Sequence, residues 1–214
     1  MERTIPIDDQ PIAATFFDEA HWLSDFVTPN QPDILTLWER ITRGITNQNE
    51  RIVAAWDWVA NQVAYKPFIK ASIQVEGVTS YQDDYWATPS QVTKIRVGNC
   101  ANKAFLLTSL LRNELGPDQV YTVLGNLFNG HASGHAWVQV NTGNGEFVVE
   151  ATRNDVPMLA VARADRYAPV HYFNDKTVLA VPGRTVMTPM AACYSEWLRD
   201  YLNFSYIQDQ RELR

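Results

Sequence analysis

The chain has 214 residues, 46% of them hydrophobic and 20% charged, with seven Trp, nine Tyr and nine Phe. That is enough apolar material for one domain with a substantial core, and it excludes a wholly disordered chain. Eighteen basic residues against 24 acidic ones give a formal net charge of -6 without a basic arm. A nucleic-acid partner is therefore not expected, and the lack of a long apolar run gives no reason to expect a membrane partner. Met1-Glu2-Arg3-Thr4 leads into acidic, Pro-containing sequence rather than an apolar leader, so the default expectation is a cytoplasmic location. Two distant cysteines, Cys100 and Cys193, are too few for a disulfide scaffold. One functional thiol and one packing cysteine fit better.

In chain order, Phe16, Phe17, Trp22 and Phe26 form an aromatic amino-terminal region, suited to packing or to lining a groove. From Asp33, the spacing of Ile34, Leu37, Trp38 and Ile41 predicts a short amphipathic helix ending near Gly44. Asn47 followed by Glu50 resembles a capping box, and apolar residues at helical intervals predict a second helix at about 48–63. Residues 69–90 are irregular and read as a long loop or partial strands. A third helix is expected at about 100–113, with Asn99 as its N-cap and Gly116-Pro117 as its stop. Strand candidates follow at about 120–127, 135–141 and 146–152, the last two flanking the turn sequence Thr142-Gly143-Asn144-Gly145. Further strands are expected near 167–173 and 177–181, and an aromatic helix over 190–204.

Cys100 would occupy the first turn of its helix, where backbone donors and the helix dipole favour a thiolate. In a simple hairpin register Asn141 faces Asn144, which places His135 opposite Glu150 on one face. Glu150 could then hold one imidazole nitrogen and leave the other for Cys100, a nucleophile–base–orienter arrangement. His131 with His135 lacks the further ligands and spacing of a zinc site, and no phosphate loop or nucleotide motif is present, so neither metal nor cofactor is expected. Lys103, one turn after Cys100, reads as a solvated surface lysine.

The stretch Asp84-Tyr85-Trp86-Ala87-Thr88-Pro89, continued by Arg96-Val97-Gly98-Asn99-Cys100-Ala101-Asn102-Lys103-Ala104-Phe105, resembles the nucleophile region of the transglutaminase-like superfamily. Gly134-His135-Ala136-Trp137-Val138 is similar to its histidine strand, and Phe147-Val148-Val149-Glu150-Ala151-Thr152 to the next. The ordered match spans about 45–155.

The resemblance implies an α+β, papain-like cysteine-enzyme fold with helices packed against an antiparallel sheet. It also implies a triad of Cys100, His135 and Glu150. The family usually has Asp at the third position and often an acidic residue before the cysteine; here Glu150 and Asn99 stand there, and Asp155 is the alternative third member. For the oxyanion, the Cys100 backbone N–H is one donor candidate, with Trp86 and Gln91 as rival second donors.

The whole chain, 1–214, is expected to be one domain. Residues 1–44 would be a helical amino-terminal part and 45–155 the catalytic core. Residues 156–214 would complete the sheet and add the final helix. The expected activity is cysteine-dependent acyl transfer through a thioester on a peptide or protein carboxamide, to water or to an amine acceptor. The alternative is a noncatalytic interaction domain on the same fold.

Overall fold

The computed structural model describes residues 2–7, 10–15, 23–67, 69, 71–75, 78–82, 85–129, 131–155 and 157–183. For 2–7, 10–15, 71–75, 78–82, 129, 131 and 162 this description is of the backbone. Phe16, Phe17, Trp22, Cys193 and the helix expected over 190–204 lie outside the described residues.

The element that organises the rest is the helix at Cys100–Leu111. Asn99 caps it in extended conformation, its side chain accepting the Asn102 N–H at 3.0 Å. Phe105, Leu106, Leu110 and Leu111 are among its large apolar side chains, but every residue from Ala101 to Leu111 is buried. A helix covered all round must satisfy its polar side chains internally. Thr108 shares a 2.7 Å hydrogen bond with Thr122, and the Ser109 hydroxyl donates to Phe105 and accepts the Thr28 N–H.

The cover comes from three helices and a sheet. Helix α1 (Pro32–Thr42) turns Leu37 and Trp38 inward, and α2 (Gln48–Gln62) is capped by Asn47, whose side chain accepts the Glu50 N–H. Helix α3 (Pro89–Ile95) replaces the end of the stretch read as irregular. Its signal is a capping box, Thr88 with Gln91, with Pro89 in the first turn. The Cys100 helix is α4, and it packs against all three and against two central strands.

Those strands belong to an antiparallel sheet of six, ordered β10-β9-β8-β7-β11-β12. Its members are β7 (Val120–Asn129), β8 (His131–Thr142), β9 (Gly145–Val149), β10 (Leu159–Ala160), β11 (Tyr167–Phe173) and β12 (Val178–Ala180). Ala136, Val138 and Val140 face α4 with Phe147 and Val149, as the alternation predicts. Trp137 and Val148 lie on the opposite face with Val123 and Ala164. Helices packed against an antiparallel sheet are the α+β architecture that the resemblance implies.

The amino-terminal part departs from its helical expectation. It opens with β1 (Glu2–Ile7) and β2 (Gln10–Thr15), which join β4 (Ala71–Val75) and β5 (Val78–Gln82) in a sheet ordered β2-β1-β4-β5. Pro6 and Pro11, paired across β1 and β2, explain the departure, because a helix interior tolerates neither. The pair β4 and β5 makes the partial-strand reading of 69–90 the correct one. A short parallel pair, β3 (Ala64–Tyr65) with β6 (Val97–Gly98), ties the end of α2 to the approach of Cys100.

Lys103 is not a surface lysine. It is 1% exposed, and its ammonium donates to the Ala60 and Val63 carbonyls at 3.1 and 2.9 Å, at the carboxyl end of α2. Burial lowers its pKa to about 8, against a smaller opposing pull from Glu150. Between pH 8 and the ordinary 10.5 the unfolded chain holds a proton that the folded chain has released, so stability rises with pH there. Wild type is therefore expected to gain stability relative to K103M between pH 8 and 10 in urea unfolding. A pH-independent difference would show that this ammonium carries no burial penalty.

Candidate active site

The segment leading to Cys100 is fixed before the helix begins. The Ala64 N–H donates to Arg96 at 2.8 Å and the Lys66 N–H to Gly98 at 3.1 Å. Gly98 allows the close approach: a Cβ there would stand 3.0 Å from the Cβ of Asn102. Because the cap occupies the Asn102 N–H, the Cys100 N–H stays among the first-turn donors that lack an intrahelical partner. Asn102, fully buried, accepts the Ala87 N–H at 3.0 Å and donates to the Tyr85 carbonyl at 3.2 Å. It thereby clamps the segment carrying Trp86 to the turn that carries Cys100. Sequence reasoning missed this residue, although an Asn in the first turn of a strongly apolar helix was the available signal.

His135 and Glu150 meet, by a route that differs from the expected register. The ladder pairs Thr142 with Gly145 and Val138 with Val149, two residues displaced from the Asn141–Asn144 register. A shift of two keeps every side chain on its face. Extended by one residue, the ladder would set Glu150 opposite Trp137, so His135 is its diagonal neighbour. The longer Glu side chain spans that diagonal, and His135 Nε2 lies 2.7 Å from Glu150 Oε2. The other ring nitrogen, Nδ1, is left outside this bond, and the His135 side chain interacts with the Cys100 thiol.

Burial alone would disfavour the imidazolium. The Glu150 carboxylate and Cys100 outweigh it, and the His135 pKa is pushed up to about 10. Burial likewise works against the Glu150 charge, but His135 and Thr152 hold its pKa below the ordinary carboxylate value. Glu150 Oε1 accepts the Thr152 N–H at 2.9 Å and its hydroxyl at 2.7 Å, while Oε2 also accepts the Tyr167 hydroxyl at 3.1 Å. The Glu150 carbonyl takes the Trp56 indole N–H at 2.8 Å. Trp56 and Tyr167 were not legible as site residues, because each is brought in by tertiary packing, whereas Thr152 is a local partner two residues from Glu150 that sequence reasoning passed over.

Asp155, the alternative third member, is exposed and paired with Arg153, while Glu150 is the carboxylate bonded to the ring. Trp86 is buried edge-on against Phe26 and Phe105, with centroids at 5.4 and 5.1 Å. The Gln91 side-chain oxygen accepts the Thr88 N–H at 2.8 Å and the Tyr85 hydroxyl at 3.1 Å, which ties it to the α3 cap. The His131 side chain lies outside the described residues, and among those described no group of three or more His, Cys, Asp or Glu converges as metal ligands.

Residues 36–151 match the transglutaminase-like superfamily. The fold is similar to that of Legionella pneumophila LapG, EGTA-treated, with a TM-score of 0.51 at 16% identity over 80% of this chain and 91% of that one. A further structure of Legionella pneumophila LapG gives a TM-score of 0.50 at 18% identity over 72% and 82%. At such identities the likeness speaks for the fold. No curated protein matches the chain. The cytoplasmic expectation is corrected here: the likeness to LapG does not support it. The character of a few amino-terminal residues had been a poor physical basis for choosing a compartment.

A raised His135 pKa means that its charged pair with Glu150 contributes stability in full below pH 6.5, lost as pH rises through about 10. In E150Q, burial loses its main counterweight, and the imidazole midpoint is expected to fall. Histidine NMR titration of both proteins checks this; an unmoved midpoint would mean that Glu150 does not hold the ring's charge.

Proposed function

This chain belongs to the transglutaminase-like superfamily, and from that membership we propose cysteine-dependent acyl transfer on peptide or protein carboxamides, with Cys100 as nucleophile, His135 as base and Glu150 as orienter. The observation that carries the reading is the 2.7 Å His135–Glu150 bond beside a cysteine in the first turn of α4. A histidine held on one nitrogen by a buried carboxylate, with a thiol near it, is the arrangement that proton management in acyl transfer requires.

His135 already carries its proton at neutral pH, so the Cys100 sulfur attacks the carbonyl carbon as the thiolate of a Cys100–His135 ion pair, and the carbonyl electrons move onto oxygen. The oxyanion is met by the Cys100 N–H, with Trp86 and Gln91 as candidates for a second donor. Of the two, Trp86 has the stronger support, because Asn102 fixes its segment to the Cys100 turn while Gln91 serves the α3 cap. Collapse of the tetrahedral adduct breaks the C–N bond, and the amine leaves with the proton held by His135. The resulting thioester is attacked by water, whose proton passes to the now neutral His135 and stays there while the sulfur departs as thiolate. Hydrolysis releases a carboxylic acid; an amine in place of water forms a new amide. Glu150 stays ionised throughout and fixes the ring.

Intact-mass labelling with an amide-based electrophilic probe tests the reading. One adduct on Cys100 is expected in wild type and none there in C100A. H135A should slow labelling by about 10²- to 10⁴-fold, and E150Q should slow it less. Equal, slow modification of Cys100 and Cys193, indifferent to H135A, would instead indicate a noncatalytic domain.

A further inference from the structure

We propose that Tyr167 is a positioning residue for this site: its hydroxyl fixes the Glu150 carboxylate so that Oε2 stays directed at His135. The inference rests on the acyl-transfer reading above and adds to it a residue that acts through Glu150.

Glu carries one more rotatable bond than the Asp usual at this place, so its carboxylate needs more to hold it. An ionised carboxylate offers about four acceptor directions, and here four donors fill them. Two come from Thr152 to Oε1, and one each from His135 and Tyr167 to Oε2. Thr152 anchors one oxygen; Tyr167 restrains the oxygen that His135 uses. Without the phenol, Oε2 keeps a single donor and the carboxylate regains rotation about its last torsion.

The sheet explains how a residue on a distant strand reaches the pair. Tyr167 faces Leu127, which faces Ser133, so Tyr167 shares a face with His135 one row away. In the row of His135 itself, the partner on β7 is Gly125. A Cβ on Gly125 would clash with the Ala168 carbonyl and meet the Trp137 ring at 2.5 Å. The missing side chain lets the Trp137 indole lie over β7, where it meets the Tyr167 ring at 5.1 Å and stacks beside His135 at 6.3 Å. Tyr167 is thus packed by its ring and aimed by its hydroxyl. Burial first, then Glu150, pushes the phenol pKa up, against a smaller pull from Arg153 and Arg166. The phenol therefore stays protonated as a donor. The charged groups that bear on the pair are Cys100, Lys103, Arg153 and Arg166.

Y167F keeps the ring and deletes the donor. Alkylation of Cys100 by iodoacetamide is read against pH, with His135 titration by NMR, in wild type, Y167F, E150Q, H135A and Y167F/E150Q. Y167F is expected to unfold near the wild-type temperature, to slow alkylation at neutral pH about tenfold, and to lower the His135 midpoint. Added to E150Q, it should change neither quantity further. Wild-type behaviour of Y167F beside a slowed E150Q overturns the proposal while leaving the triad intact. An undiminished Y167F effect in the E150Q background overturns it as well. Wild-type rates in both H135A and E150Q overturn the acyl-transfer reading and Tyr167's role with it. Should Y167F not fold, tyrosine NMR of E150Q decides: the Tyr167 midpoint falls if the phenol serves Glu150 and stays if it does not.

Discussion

A buried carboxylate must find donors for both oxygens, and the site is organised around that requirement at Glu150. Its side chain is 7% exposed and accepts from His135, Thr152 and Tyr167. An ionised group so enclosed would cost several kcal/mol if left unpaired. Each partner comes from a different place: β8, the turn after β9, and the first residue of β11. The requirement thus couples three parts of the sheet to one side chain, and it sets the charge of His135.

The second organising feature is α4. Its core-facing role is shared by every side, which leaves its amino-terminal turn as the end that presents chemistry. Asn99 caps that turn, Asn102 pins the Tyr85–Ala87 segment to it, and Lys103 reaches back to the α2 carbonyls. The three polar side chains Asn99, Asn102 and Lys103 around Cys100 therefore serve placement. They bring the aromatic segment and the end of α2 into one arrangement about the thiol.

The sequence was informative where the signal was local. Asn47 and Asn99 cap their helices as their spacing indicates, and the strands near 120–127, 135–141 and 146–152 appear with modest shifts in their ends. The His135–Glu150 partnership was legible through face parity, even though the hairpin register is displaced by two. Helix α3 carried a readable signal, Thr88-Pro89-Ser90-Gln91, that the irregular look of 69–90 obscured. Non-local facts were not legible. Lys103 looked solvated because its acceptors lie some 40 residues away at the end of α2. Tyr167 is 17 residues from Glu150 and reaches it from another strand, packed against the Trp137 ring that Gly125 leaves room for.

The most direct test is rapid-quench intact mass of the protein with a peptidyl p-nitroanilide library, following amine release and the protein's mass together. A Cys100 thioester mechanism predicts a burst of amine matched mole for mole by an acyl adduct on Cys100, which then decays in water or passes to an added amine. Amine release with no adduct on Cys100, at a rate that C100A retains, would contradict it.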